Sequence, residues 1–265
     1  MSWNCRGVAS TNAAFWRYFL DQDVDVALLQ EVNSIPDYVR STYNAVTANA
    51  VTKSGKPQRF STCLLSKTPI RAAHAFVSKK EWVNFELEHF KGNLVSGGVV
   101  TSVGEVNVIS VYNPAWPIDR TRIGSYDTEG IRLTQQKSDV WLADVLWAVL
   151  RDKNLADEMW IVGGDFNLSE TFDSWVGGPH GNKGYLDRMA SLGMVECLRK
   201  HCGILMPTFK NASNGKILHQ MDHIWASPNL AEWVVECRTG VQELIFGAGL
   251  SDHLPIIADF DLDAG

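Results

Sequence analysis

The chain has 265 residues, of which 45% are hydrophobic and 20% charged. That composition is globular and excludes collagen-like, disordered and coiled-coil classes. The 24 Lys and Arg against 30 Asp and Glu leave a net charge of −6, which excludes a protein coated in positive charge but not a locally positive cleft.

Short apolar runs alternate with helical stretches, which predicts an α/β fold. Near the start, Ser10 or Thr11 can cap a helix in which Phe15, Tyr18 and Phe19 share a face. Val24–Leu29 follows as a compact apolar strand. Val106–Tyr112 alternates with period two and reads as a strand ending at Asn113-Pro114. The longest helix is expected from about Ile131 to Arg151, with Trp141, Val145 and Val149 on one face and Leu142 and Leu146 beside them. Met159–Val162 then enters Gly163-Gly164 as a buried strand, and Asp222–Ala226 and Leu254–Phe260 are further strands. Two loops stand out, Pro114–Gly130 with Arg120 and Arg122, and Gly177–Gly184 with His180. No repeat, low-complexity tract or linker-like shift interrupts the chain, so residues 1–265 are read as a single domain and, by default, a monomer.

No run reaches the ~18 apolar residues of a transmembrane helix. Met1–Arg6 lacks the apolar core of a signal peptide. The five cysteines are odd in number and form no Cys-x-x-Cys pair, so a reducing, cytoplasmic setting is expected rather than a disulfide framework or structural zinc. Cys197 and Cys202 read as small core hydrophobes.

Polar residues gather at strand ends: Asn4, Glu31, Tyr112-Asn113, Asp165-Phe166-Asn167, Asp222-His223 and Asp252-His253. Loops leaving one edge of a sheet can bring such residues into one cleft, and carboxylates with an amide and imidazoles suit a hard divalent cation together with a phosphate. Each piece alone has a plainer reading. Gly163–Asn167 also reads as a tight turn, Asp252-His253 as a capping pair, and Glu31 as a strand meeting solvent. His219 and His223 lie four apart on what reads as a strand, so their rings need not converge on a metal.

Their order is more specific than any one of them. Ser2-Trp3-Asn4, Leu29–Val32, Val111–Pro114, Gly164–Asn167, Met221–Ile224 and Ser251–Ile256 together resemble the endonuclease/exonuclease/phosphatase superfamily, echoed by Leu64–Ile70. The resemblance spans nearly the whole chain. It implies a DNase I-like four-layer α/β/β/α sandwich of two mixed β-sheets flanked by helices, and metal-assisted hydrolysis of a phosphoester. Carried over by motif, Glu31 would be the main magnesium ligand, helped by Asn4 and Asp252, with manganese as a substitute. Asp165 would orient or deprotonate the attacking water, braced by Asn167. His253 would bind the phosphoryl oxygens as a cation oriented by Asp222, and Tyr112 would contact the phosphate or leaving group.

Three departures from the resemblance stand out. Arg6 occupies a position where abasic-site endonucleases place an acid, so either metal binding rests more on Glu31 and Asp252 or Arg6 touches phosphate instead. Asn113 directly follows Tyr112, and the first strand has only Met1-Ser2 before Trp3-Asn4, as if it were trimmed or began earlier. A nuclease acting on DNA or RNA is the first expectation, with Asn113, Arg6, Arg120 and Arg122 as substrate-binding residues and Lys183 and Lys210 as further phosphate contacts. Trp116, Trp175 or Phe209 could stack on a base or simply pack. The scattered basic residues leave a small phosphoester (nucleotide, sugar-phosphate or lipid headgroup) as the alternative substrate. A non-catalytic binding protein is the third reading.

Overall fold

The computed structural model describes residues 1–73, 76–128, 130–131, 139–175 and 180–262. In chain order the first strands are β1 (Ser2–Val8), β2 (Val26–Val32), β3 (Asn44–Val51), β4 (Pro57–Ser66), β5 (Ile70–Arg71), β6 (Leu94–Thr101) and β7 (Gly104–Tyr112). There follow β8 (Trp160–Asp165), β9 (Val195–Glu196), β10 (Phe209–Lys210), β11 (Ile217–His219), β12 (Asp222–Ala226), β13 (Val234–Thr239) and β14 (Ile256–Phe260). The helices are α1 (Ala13–Asp21), α2 (Asp37–Arg40), α3 (Glu81–His89), α4 (Arg120–Ile123) and α5 (Leu142–Arg151), then α6 (Asn182–Ser191), α7 (Cys197–Cys202), α8 (Pro228–Ala231) and α9 (Gln242–Ile245).

Two six-stranded sheets have the orders β13-β14-β1-β2-β4-β3 and β5-β6-β7-β8-β12-β9, and β10 pairs with β11 in a small ribbon. β1 runs parallel to β2 and β7 parallel to β8, while the other neighbours are antiparallel, so both sheets are mixed. Between the sheets lies an apolar seam that includes Leu28, Leu64, Val95, Val108, Ile224 and Ile256. Outside the first sheet, Phe15, Trp16 and Phe19 of α1 pack with Trp3 and Leu29. Outside the second, α3, α5 and α6 pack with Ile109, Val111 and Trp160. The α/β layering is the expected one, because each sheet must bury both faces and helices supply the outer cover.

Local boundaries differ from the sequence expectation in instructive places. The long helix begins at Leu142, not Ile131, because Trp141 is extended and Asp144 reaches back to accept its backbone N–H at 2.8 Å. Val140 is spent on the Ile118 backbone, and residues 132–138 lie outside the described residues. The strand expected at Val24–Leu29 runs instead from Val26 to Val32, so Glu31 lies inside it. The last strand starts at Ile256, after Leu254 has given its N–H to Thr208 and Pro255 has none to give. The Pro114–Gly130 loop holds the short helix α4, capped by Asp119. Of the other loop, residues 176–179 lie outside the described residues. All five cysteines are free thiols. Among the described residues no helix is long and apolar enough to cross a membrane.

The two parallel pairs set the site. β1 faces β8, and β2 faces β7, across the interior. Between Asn4 and Val8 the β1–β2 register slips, with Arg6 at φ 49° and Glu31 at φ 55°. Such bulges re-aim side chains, and these turn Asn4 and Glu31 toward the second sheet. Just before Asp165, Gly164 lets β8 lie close to β7, since a Cβ there would sit 1.9 Å from the Val111 carbonyl oxygen. Backbone cannot yield as a side-chain tip can. Gly164→Ala is therefore expected to cost ~1–3 kcal/mol, a Tm drop of roughly 2–12 °C in thermal unfolding. An unchanged Tm would show that the close approach is not a constraint.

Candidate active site

Asp165 ends β8 and Asp222 opens β12, and the strand register sets them directly opposite one another. Both are buried. Asn4 of β1 reaches across from the other sheet, its Nδ2 donating to Asp165 Oδ2 at 2.9 Å and to Glu31 Oε1 at 3.2 Å. Asn167 donates its backbone N–H to Asp165 Oδ1 at 2.9 Å and its amide to Oδ2 at 3.2 Å. His253 Nδ1 lies 2.8 Å from Asp222 Oδ2. The segment carrying His253 is tied to β1 twice: Trp3 Nε1 donates to the His253 carbonyl at 2.8 Å, and Ser251 Oγ donates to the Asn4 carbonyl at 2.7 Å.

Burial and charge set the protonation states. Burial pushes the Asp165 carboxyl up, the His253 charge opposes this, the Asp222 charge adds to it, and the Asn4 and Asn167 hydrogen bonds oppose it; the net direction is up. For His253, burial alone would favour the neutral ring. The charges of Asp222 and Asp165, with the Asp222 hydrogen bond, overcome it and raise His253 to about 10. Burial, then the charges of Glu31 and Asp165, hold the Tyr112 hydroxyl far above the ordinary phenol, so it stays a neutral donor facing Glu31.

Among the described residues, Asp165, Asp222 and His253 bring ligand atoms within 4.8 Å of one another. Asp222 Oδ1 is buried without a partner. Crowded carboxylate oxygens, one of them orphaned, fit a hard divalent cation. Of the expected ligands Glu31, Asn4 and Asp252, Glu31 faces the centre through Asn4, while Asn4 and Asp252 have further partners of their own. Asn4 Oδ1 takes the Arg6 backbone N–H at 3.0 Å and its Nδ2 faces the acids, so it bridges them as a donor. Asp252 faces the Arg6 guanidinium, 3.4 Å from Nε.

Other expected substrate contacts are spent elsewhere. Asn113 is fully buried, donating to the Phe166 carbonyl at 2.6 Å and accepting from Ala143 N at 3.0 Å, so it braces the loop beneath Asn167. Arg122 clamps the buried Glu86 carboxylate with two bonds of 3.1 and 3.0 Å. Arg120 holds Asp139 at 2.8 Å, and Lys183 holds Asp187 on the surface of α6. For Asn113, Arg120 and Arg122 the partners are non-local, whereas Asp187 lies one helical turn from Lys183. Arg6 and Lys210 do flank the centre: Arg6 by its pair with Asp252, Lys210 by donating its backbone N–H to the Asp252 carbonyl. Phe209 bridges to His253 with ring centres 4.9 Å apart. Trp116 packs against the core, whereas Trp175 is exposed beside Phe172 and His219. His219 bonds Thr171 and His223 bonds the Leu168 carbonyl, so the two rings do not converge. Thr208, buried against Asp222, belongs to no motif by which sequence alone would mark it.

A profile of the Endonuclease/Exonuclease/phosphatase family matches residues 1–253. The chain belongs to this family. Its members hydrolyse phosphoester bonds. Searched against characterised protein sequences, the chain matches none. Among solved structures, similar folds include an AP endonuclease from Archaeoglobus fulgidus (19% identity, TM-score 0.69, 98% of each chain covered). A 3′ phosphatase from Neisseria bound to a product DNA hairpin is similar at 17% identity and TM-score 0.68, again over 98% of each chain. The endonuclease domain of a telomere-specific non-LTR retrotransposon follows at 16% identity and TM-score 0.60, covering 98% of this chain and 97% of that one. At these identities the likeness to the solved structures is one of fold.

Two outcomes test this arrangement. Arg122→Ala strands the buried Glu86 carboxylate and should cost ~1–3 kcal/mol in denaturant unfolding, whereas a substrate-binding arginine would leave stability alone. For His253, the folded value lies above the ordinary 6.5, so its stabilisation is complete below pH 6.5 and lost as pH rises through about 10. In EDTA, heteronuclear NMR should find the ring still protonated at pH 8, and a ring that titrates near pH 6.5 would contradict the charge environment formed by Asp222 and Asp165.

Proposed function

We propose that residues 1–265 form one domain that acts as a divalent-metal-dependent phosphodiester hydrolase, a nuclease on DNA or RNA that drives water onto phosphorus. The observation that carries this is the buried Asp165–Asp222–His253 cluster, braced by Asn4 and Asn167 and open toward Glu31 and Tyr112. A bound magnesium or manganese ion, held by the acids of this cluster with Glu31, would neutralise phosphate oxygens and the leaving oxygen.

The chain's own residues account for the rest. Asp165, raised toward neutrality yet fixed by two amides, is suited to accept a proton from an in-line water. His253, with Nδ1 on Asp222, presents a charged Nε2–H to a phosphoryl oxygen. The Tyr112 hydroxyl donates to the phosphate or the leaving group. Arg6, half exposed at the cleft and paired only loosely with Asp252, can turn to a flanking phosphate. The likeness in fold to an AP endonuclease and to a 3′ phosphatase bound to a DNA hairpin supports the substrate class.

A small phosphoester is the second reading. It is favoured by the pairing of Arg120, Arg122 and Lys183 with acids, which takes three of the expected phosphate contacts away from a long polyanion. Labelled single- and double-stranded DNA and RNA, incubated with Mg²⁺ or Mn²⁺ and with EDTA, separate the two. Metal-dependent cutting is expected, with Asp165→Asn and His253→Ala each reducing turnover by at least ~10²-fold while remaining folded. Cleavage of a small phosphoester with no cutting of any nucleic acid would overturn the nuclease reading, and full activity in either variant would overturn the assignment of the site.

A further inference from the structure

Thr208 lies just before β10, fully buried, at the junction of three segments. Its backbone N–H donates to the His219 carbonyl at 2.9 Å, and its carbonyl accepts the Leu254 N–H at 2.7 Å. One residue therefore ties the β11 end to the residue after His253. Its hydroxyl is more constrained still. Oγ1 accepts the backbone N–H groups of Met221 at 3.1 Å and of Asp222 at 3.2 Å.

A hydroxyl has two lone pairs and one proton. With both lone pairs taken by N–H donors, the proton has one place left to go, and Asp222 Oδ2 is there at 2.7 Å. The same Oδ2 lies 2.8 Å from His253 Nδ1. Two donors thus converge on a single carboxylate oxygen, while Oδ1 is buried without a partner. A carboxylate free to rotate about its Cβ–Cγ bond would exchange these two oxygens. The Thr208 proton distinguishes them and locks the plane, which fixes the proton of His253 on Nδ1 and leaves Nε2 for the cleft.

We propose that Thr208 is a positioning residue for the reaction, its hydroxyl orienting the Asp222 carboxylate that in turn orients His253. The proposal rests on the reading of the site as a phosphoester hydrolase centre, but its first test does not need turnover. With histidine nitrogen-labelled protein, the Nδ1–H proton of His253, identified by its loss in His253→Ala, is expected as a downfield resonance in the resting wild type. Thr208→Val keeps shape and removes the hydroxyl, both the donor to Asp222 and the acceptor of the Met221 and Asp222 N–H groups. It should move or broaden that resonance and lower kcat about ten- to a hundred-fold, with KM within about twofold. Thr208→Ser restores the donor and should return both readouts to near wild type. Should Thr208→Val fail to fold, Thr208→Cys, a weak donor of similar size, takes its place with the same expectation.

Two results would overturn the proposal. One is an unmoved His253 resonance with unchanged kcat in the donor-less variant. The other is a Thr208→Ser protein as impaired as Thr208→Val, which would make Thr208 a packing residue. If the resonance shifts as expected but no phosphoester is hydrolysed by wild type, the proposed function fails while the role of Thr208 toward His253 stands.

Discussion

Asp165 and Asp222 face each other across adjacent strands, both buried. Like charges in that arrangement repel, and burial adds a desolvation cost to each. Much of the architecture at this end of the molecule can be read as the answer to that one conflict. Asn4 and Asn167 lend amide protons to Asp165, and His253 and Thr208 lend protons to Asp222. The donors come from β1, from the turn after β8, from before β10 and from before β14, so four distant stretches of chain are committed to two carboxylates.

Backbone conformation is bent to the same end. Arg6, Glu31 and Asn167, all non-glycine, take left-handed φ angles within this region. Such conformations are unfavourable for residues with a Cβ and persist where surrounding contacts over-determine them. Here the contacts are visible: the Arg6 N–H is held by Asn4 Oδ1, and the Asn167 N–H and amide by Asp165 and the Asn113 carbonyl. Asn113 is itself immobilised on the Phe166 carbonyl and Ala143 N–H. The rigidity of the centre therefore extends into the start of α5.

How much of this was legible in the sequence depends on how local the cause is. Val106–Tyr112 was legible because strand periodicity is a property of neighbours, Asp222–Ala226 because it is a short apolar run, and the four-layer arrangement came with the resemblance carried by the ordered motifs. The start of α5 was not, because the apolar pattern runs on through Trp141 and only the Asp144 carboxylate decides where the helix begins. Among the site residues, Asp165, Asn167, Asp222 and His253 come together as their motifs suggested. Asn113, Arg122 and Arg120 carry the right functional groups, yet Phe166, Glu86 and Asp139 claim them, and those partners lie 53, 36 and 19 residues away. Thr208 has the opposite problem, an ordinary residue type whose importance arises wholly from what surrounds it.

The bond from the Trp3 indole to the His253 carbonyl joins residues 250 positions apart. Asn4 therefore leaves a ribosome long before His253 does, yet both are needed at one centre. A nascent chain that has already formed β1, β2, β7 and β8 still lacks its histidine and the strand that seats it. Domains emerging N-terminal first can fold in part during synthesis, but this centre closes only when β14 docks beside β1. The cluster of Asp165, Asp222 and His253 therefore draws on both ends of the described chain, and its assembly waits for the last strand.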